Sequence, residues 1–137
     1  MTRKKLILSA LISAAIFIMV CCSWYVMFAR ANGEAFASRG FRSLKYFTVD
    51  SNLLMAAAAL INAVCVAEVW RGRKSKVPVW AELLFYAGTT SVSLTFGMVM
   101  AYLGPVFGYG NMLAGANLYF HLIVPVLSIC IWCLLHR

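Results

Sequence analysis

Two short stretches hold most of the side chains of this chain that could do chemistry. In the first, Tyr46-Phe47-Thr48-Val49-Asp50-Ser51-Asn52-Leu53-Leu54, polar residues stand at the mouth of an apolar run. In the second, Asn117 and His121 sit inside another apolar run, followed by Pro125 and Ser128. A hydroxyl and an imidazole can form a nucleophile and its base. A threonine hydroxyl is a poor nucleophile until its proton is taken, and neutral imidazole near pH 7 suits that work. The same residue types also have plainer uses. Thr, Asp, Ser and Asn side chains satisfy the unpaired N–H groups of a helix start. Asp50 in addition favours the positive end of the helix dipole. Thr48, Ser51 and Asn52 share a face by i, i+3, i+4 spacing, and Asp50 points about 200° away from Thr48. Asp50 is therefore the expected cap, and the other three form the expected polar face.

Asn117, His121, Pro125 and Ser128 lie at i, i+4, i+8 and i+11, one stripe of a helix. An ionisable group at membrane depth usually faces the interior of a bundle and often marks function. His121 is expected about 12 Å along its helix. Pro125 has no N–H, so the carbonyl of His121, four residues back, is expected to need a partner elsewhere in the bundle. The plainer alternative is a structural histidine bonded to a neighbouring helix.

Other chemistries find no support. A bis-histidine haem needs two placed imidazoles, and the second histidine, His136, adjoins the chain end. No acidic or His/Cys cluster suits a metal, and no cofactor is expected. No phosphate-binding glycine loop, GxSxG or HExxH string occurs. Cys130 and Cys133 have CxxC spacing but lie in an apolar run without a second ligand pair. The five cysteines all fall in apolar segments, where a thiol acts as a small hydrophobe.

The elements that must position these residues are membrane helices. Of 137 residues, 64% are apolar and 12% charged, with a mean hydropathy of +0.86. A soluble domain carries about 25% charged residues. The net charge of +8 comes in short runs between apolar segments. That is a topology signal, not the basic stripe of a nucleic-acid binder. A membrane-spanning helix needs about 20 apolar residues. Four spans are predicted, at about 6–28, 47–70, 79–103 and 113–135, in one all-α polytopic membrane bundle covering 1–137. The first run exceeds a signal h-region, so it reads as a retained helix, with cleavage after Ala29-Arg30-Ala31 as the alternative.

Arg3, Lys4 and Lys5 at the start, and Arg71, Arg73, Lys74 and Lys76 after the second span, place both termini inside. Arg30, Arg39, Arg42 and Lys45 in the first loop oppose that orientation. Small-residue stripes are expected to let helices approach: Thr89, Ser93 and Gly97; Ala59, Ala63 and Ala67; Ala10 and Ala14. Trp24, Tyr25, Trp70, Trp80 and Tyr102 are expected at the membrane interfaces. Glu68 and Glu82 can pair with Arg71 or Arg73.

The two motifs together resemble the androgen-induced-gene family of multipass membrane proteins, and most of all its uncharacterised bacterial relatives. Phe47-Thr48-x-x-Ser51-Asn52-x-Leu54 looks like the F-T-x-x-S-N-x-L pattern of the bacterial group. His121-x-x-x-Pro125-x-Leu127 looks like its H-x-x-x-P-x-L pattern. The resemblance implies a fold of six helices, so this chain would be a shortened form or an oligomer that completes itself. It implies a hydrolase of lipid esters, namely fatty acid esters of hydroxy fatty acids, in a bacterial cell membrane. By motif, Thr48 would be the nucleophile and His121 the base. Asn117 or Asp50 could then orient the imidazole, and Asn52, beside Ser51, could help hold the oxyanion.

Two further readings stand beside this one. The chain could be a non-catalytic structural or partner-binding membrane subunit. It could also be a small transporter, although the first span lacks the embedded acid of four-helix exporters.

Overall fold

The computed structural model describes residues 2–29 and 40–135. Arg30, Arg39, His136 and the Ala29-Arg30-Ala31 cleavage alternative fall wholly or partly outside the described residues. Four helices are long and apolar enough to cross a membrane. They are α1 (Arg3–Ala29), α2 (Phe47–Trp70), α3 (Val79–Phe107) and α4 (Ala116–Cys133). No strand occurs among the described residues. The protein is an all-α helical bundle with the segments of an integral, multipass membrane protein.

Helix α1 packs on α2, α2 on α3, α3 on α4, and α4 returns to α1. The shared core holds Ile16 and Val20 of α1, Met55 and Ala59 of α2, Phe85 and Val92 of α3, and Phe120 and Val124 of α4. The outward side chains are apolar too: Leu11, Ile18, Val64, Leu83, Leu94 and Val126 are all exposed. An interior and an exterior that are both apolar suit lipid as solvent. In lipid, helices associate through close packing and hydrogen bonds, because lipid tails are as apolar as the core.

The close approaches follow the expected stripes in part, with Ala59 and Thr89 buried as expected. Gly88 is the residue that lets α2 meet α3, for a Cβ there would stand 3.1 Å from Met55 Sδ and 3.2 Å from Met55 Cα. Gly97 faces outward, and a Cβ there would meet nothing within 4 Å. On α1 the buried line is Leu6, Ser9, Ser13, Ile16, Val20, Ser23 and Met27. Its small members are serines, because they can both sit close and bond. Asn62 of α2 donates through Nδ2 to Ser13 Oγ at 2.9 Å and to Ser9 Oγ at 3.4 Å. Trp24 turns inward, with its indole N–H enclosed and no partner for it among the described residues. Trp70 and Trp80 remain exposed beside the basic connection. There Glu68 pairs with Arg73 at 3.3 Å and Arg71 at 3.7 Å, while Glu82 forms no ion pair among the described residues.

Both α3 and α4 contain a five-residue π segment, at Val99–Leu103 and Tyr119–Ile123. In each, the first carbonyl accepts from the residue five places on: Gly104 N–H to Val99 O, and Val124 N–H to Tyr119 O. In each, the next residue along is proline, Pro105 or Pro125. A missing N–H removes one bond of the ladder, and π turns are a common way for a helix to absorb such a defect. A short helical turn, Tyr109–Met112, joins the two helices. It is bracketed by Gly108 (φ 85°) and Gly115 (φ 53°), which supply the positive φ a sharp reversal needs. Helix α4 therefore starts at Ala116, later than the 113 expected from hydropathy.

Candidate functional site

The start of α2 and the π segment of α4 lie at one end of the bundle, opposite the basic connection after Trp70. His121 stands five residues past Ala116, about 8 Å along the helix axis. The stripe of Asn117, His121, Pro125 and Ser128 is buried, so it faces the bundle interior as expected. His121 Nδ1 lies 2.6 Å from the carbonyl of Met112. A carbonyl only accepts, so Nδ1 carries the proton and donates. In the neutral ring that leaves the lone pair on Nε2. Met112 is itself buried, so the connecting turn is tucked against the site and its last carbonyl is satisfied by the imidazole.

Met112 O is thus the group that orients the ring. The expected orienting residues, Asn117 and Asp50, do not take that role. Asn117 is buried yet forms no hydrogen bond to His121, and Asp50 is exposed. Nor is Asp50 a side-chain cap: the N-cap of α2 is Tyr46, which makes no side-chain capping bond, and Asp50 lies inside the first turn. A cap must precede the helical φ/ψ, and the helix begins three residues before Asp50, at Phe47. The place of Asp50 in the first turn is the end of a helix where a negative charge is favoured.

Thr48 is half-buried, while Ser51 and Asn52 are buried behind it. Both neighbours return to its backbone: Ser51 Oγ donates to Thr48 O at 3.0 Å, and Asn52 Nδ2 donates to it at 2.8 Å. Ser51 Oγ also lies 3.0 Å from Thr95 Oγ1, tying α2 to α3. The second Asn52 bond crosses to α4, from Nδ2 to Phe120 O at 3.2 Å. Both amide hydrogens are spent on carbonyls. Holding an oxyanion, the role expected of Asn52, would require releasing one of them. The atom left over is Oδ1, a buried acceptor with no partner among the described residues.

The carbonyl that receives a side-chain donor here is Phe120 O, one residue before the expected His121 O. A ladder of i−4 bonds would have freed the carbonyl of His121. The π-register bonds end with Val124 N–H to Tyr119 O, and continued by one residue they would pair Pro125 with Phe120 O. That oxygen is the one Asn52 serves.

Thr48 and His121 are brought to one end of the bundle, joined through Asn52 and the Phe120 backbone. No hydrogen bond links their side chains directly. A groove of about 590 Å³ runs between α1 and the start of α4, lined by residues including Ile18, Cys22, Val26 and Tyr119. Neither Thr48 nor His121 lines it. Among the described residues, no group of three or more His, Cys, Asp or Glu could hold a metal ion. Cys130 and Cys133 are exposed on the outer, lipid-compatible face of α4. Sequence reasoning missed Met112, Thr95 and Phe120. Two of them act through the backbone, which leaves no compositional signal.

No family model, no curated protein and no solved structure matches this chain.

Proposed function

We propose that this protein is a membrane-embedded hydrolase of lipid acyl esters, with Thr48 as nucleophile and His121 as base. The observation that carries the reading is the 2.6 Å contact between His121 Nδ1 and Met112 O. Its Nδ1–H is committed to Met112 O, which leaves Nε2 as a free base in a buried, preoriented ring. Proton transfer from Thr48 Oγ1 to Nε2 would accompany attack of the hydroxyl on the ester carbonyl. The acyl-enzyme forms as the alcohol leaves with that proton, and water then hydrolyses it. The likeness of Phe47–Leu54 and His121–Leu127 to the bacterial relatives of the androgen-induced-gene family supports the same pair. The substrate would enter from the lipid, and a bacterial cell membrane with both termini cytoplasmic fits the basic residues at Arg3–Lys5 and Arg71–Lys76.

A second reading, a non-catalytic partner-binding subunit, draws on one observation: no hydrogen bond joins Thr48 to His121. Labelling with a fluorophosphonate probe in detergent separates the two. The hydrolase reading expects the wild type to label and both Thr48→Ala and His121→Ala to lose labelling. A folded wild type that stays unlabelled supports the subunit.

A further inference from the structure

The two π segments are built alike, and the likeness extends to their repair. Pro125 follows Tyr119–Ile123 by two residues, and the i−5 register that ends at Val124, continued by one residue, pairs its missing N–H with Phe120 O. Pro105 follows Val99–Leu103 by two residues, and the register that ends at Gly104, continued in the same way, pairs its missing N–H with Met100 O. Each orphaned carbonyl accepts from a side chain elsewhere. Tyr109 Oη donates to Met100 O at 2.8 Å. Asn52 Nδ2 donates to Phe120 O at 3.2 Å. An unpaired carbonyl in a bilayer is costly, so a substitute donor is needed in both places.

The substitutes differ in what they tie together. Tyr109 comes from the adjoining turn and closes a local loop at an exposed position; its ring fills the space beside Gly104, where a Cβ would strike it. Asn52 comes from α2 and is completely buried. Its other hydrogen goes to Thr48 O. One carboxamide therefore holds the backbone of Thr48 and the backbone immediately before His121.

We propose that Asn52 is a positioning residue: it stands in for the N–H that Pro125 lacks, holds the π segment of α4 open, and so sets the His121 imidazole relative to Thr48. This rests on the reading of Thr48 and His121 as the reacting pair, but the link itself is structural and can be measured without catalysis. Asn52 acts through backbone carbonyls and touches no substrate in this role.

The test is a double-variant cycle in purified, detergent-solubilised protein carrying His136→Gln, so that His121 is the one remaining imidazole. Melting temperature and the rate of His121 modification by diethyl pyrocarbonate are read for Asn52→Ala, Pro125→Ala, both together, and Tyr109→Phe. Pro125→Ala returns an N–H that can reach Phe120 O. The loss of melting temperature caused by Asn52→Ala should then be roughly halved when Pro125→Ala is also present. Asn52→Ala should also change the His121 modification rate several-fold. Tyr109→Phe, which removes the equivalent bond at the other proline, should lower stability and leave that rate unchanged. The proposal is overturned by an Asn52→Ala loss as large in the Pro125→Ala background as in the wild type, or by a His121 rate that Asn52→Ala leaves at the wild-type value. Fluorophosphonate labelling of the same samples is scored separately. Coupling without labelling keeps the positioning role and removes the hydrolase, and labelling without coupling does the reverse.

Discussion

His121 and Asn62 show two uses of a polar side chain at membrane depth. His121 spends one ring nitrogen on Met112 O. Asn62 spends its amide on two serines of α1 and leaves Oδ1 enclosed without a partner among the described residues. The first arrangement leaves one ring nitrogen uncommitted; the second joins helices. Hydrogen bonds between membrane helices contribute about 0.6 kcal/mol on average and about 1.7 at most, because the separated helices also find partners. Asn62→Leu is therefore expected to lower bundle stability by about that amount in a detergent unfolding titration. Ser9→Ala with Ser13→Ala should cost little more once Asn62 is leucine, since the shared bonds are already gone. Additive losses would show that the serines act through other contacts.

Among the elements, α2 against α3 depends on the absence of a side chain at Gly88. Gly88→Val would push Met55 at both its backbone and its sulfur. Overpacking of this kind costs about 1–3 kcal/mol. Gly97→Ala, on the open side of the same helix, should be neutral or slightly stabilising. The pair is checked by comparing their unfolding midpoints, and equal losses would contradict the packing. The π segments belong to this scale as well. A proline in an α ladder need not kink a helix if one extra residue per turn absorbs the missing bond. Two such segments near one end of the bundle then present carbonyls that other elements must satisfy.

The whole molecule combines a neutral, apolar belt with charge concentrated outside it. Arg71, Arg73, Lys74 and Lys76 gather at one end, with Trp70 and Trp80 exposed beside them. The site of Thr48 and His121 lies at the other end. If basic connections stay inside, the site opens toward the outer half of the bilayer. A cysteine-free variant carrying Ser75→Cys should resist a membrane-impermeant maleimide in intact bacterial cells and react after the cells are opened. Reaction in intact cells would reverse the orientation and place the site near the cytoplasmic face.

Span positions were legible because hydropathy is a local property. Phe47–Trp70 follows from its own residues, and so does the inward stripe from Asn117 to Ser128, since helical periodicity decides which residues share a face. Thr48, Ser51, Asn52 and His121 were likewise readable as residues that lipid contact alone does not explain. Their partners were not. Hydropathy cannot distinguish an α turn from a π turn, and the side-chain donor expected at His121 O is found instead at Phe120 O. Which side chain serves it depends on α2 meeting α4 across the core, just as the buried placement of Ser51 against Thr95 depends on α2 meeting α3. Met112 O reaches His121 only because Gly108 and Gly115 fold the connecting turn back on the bundle. A backbone carbonyl is present at every residue, so only the tertiary structure could select these few.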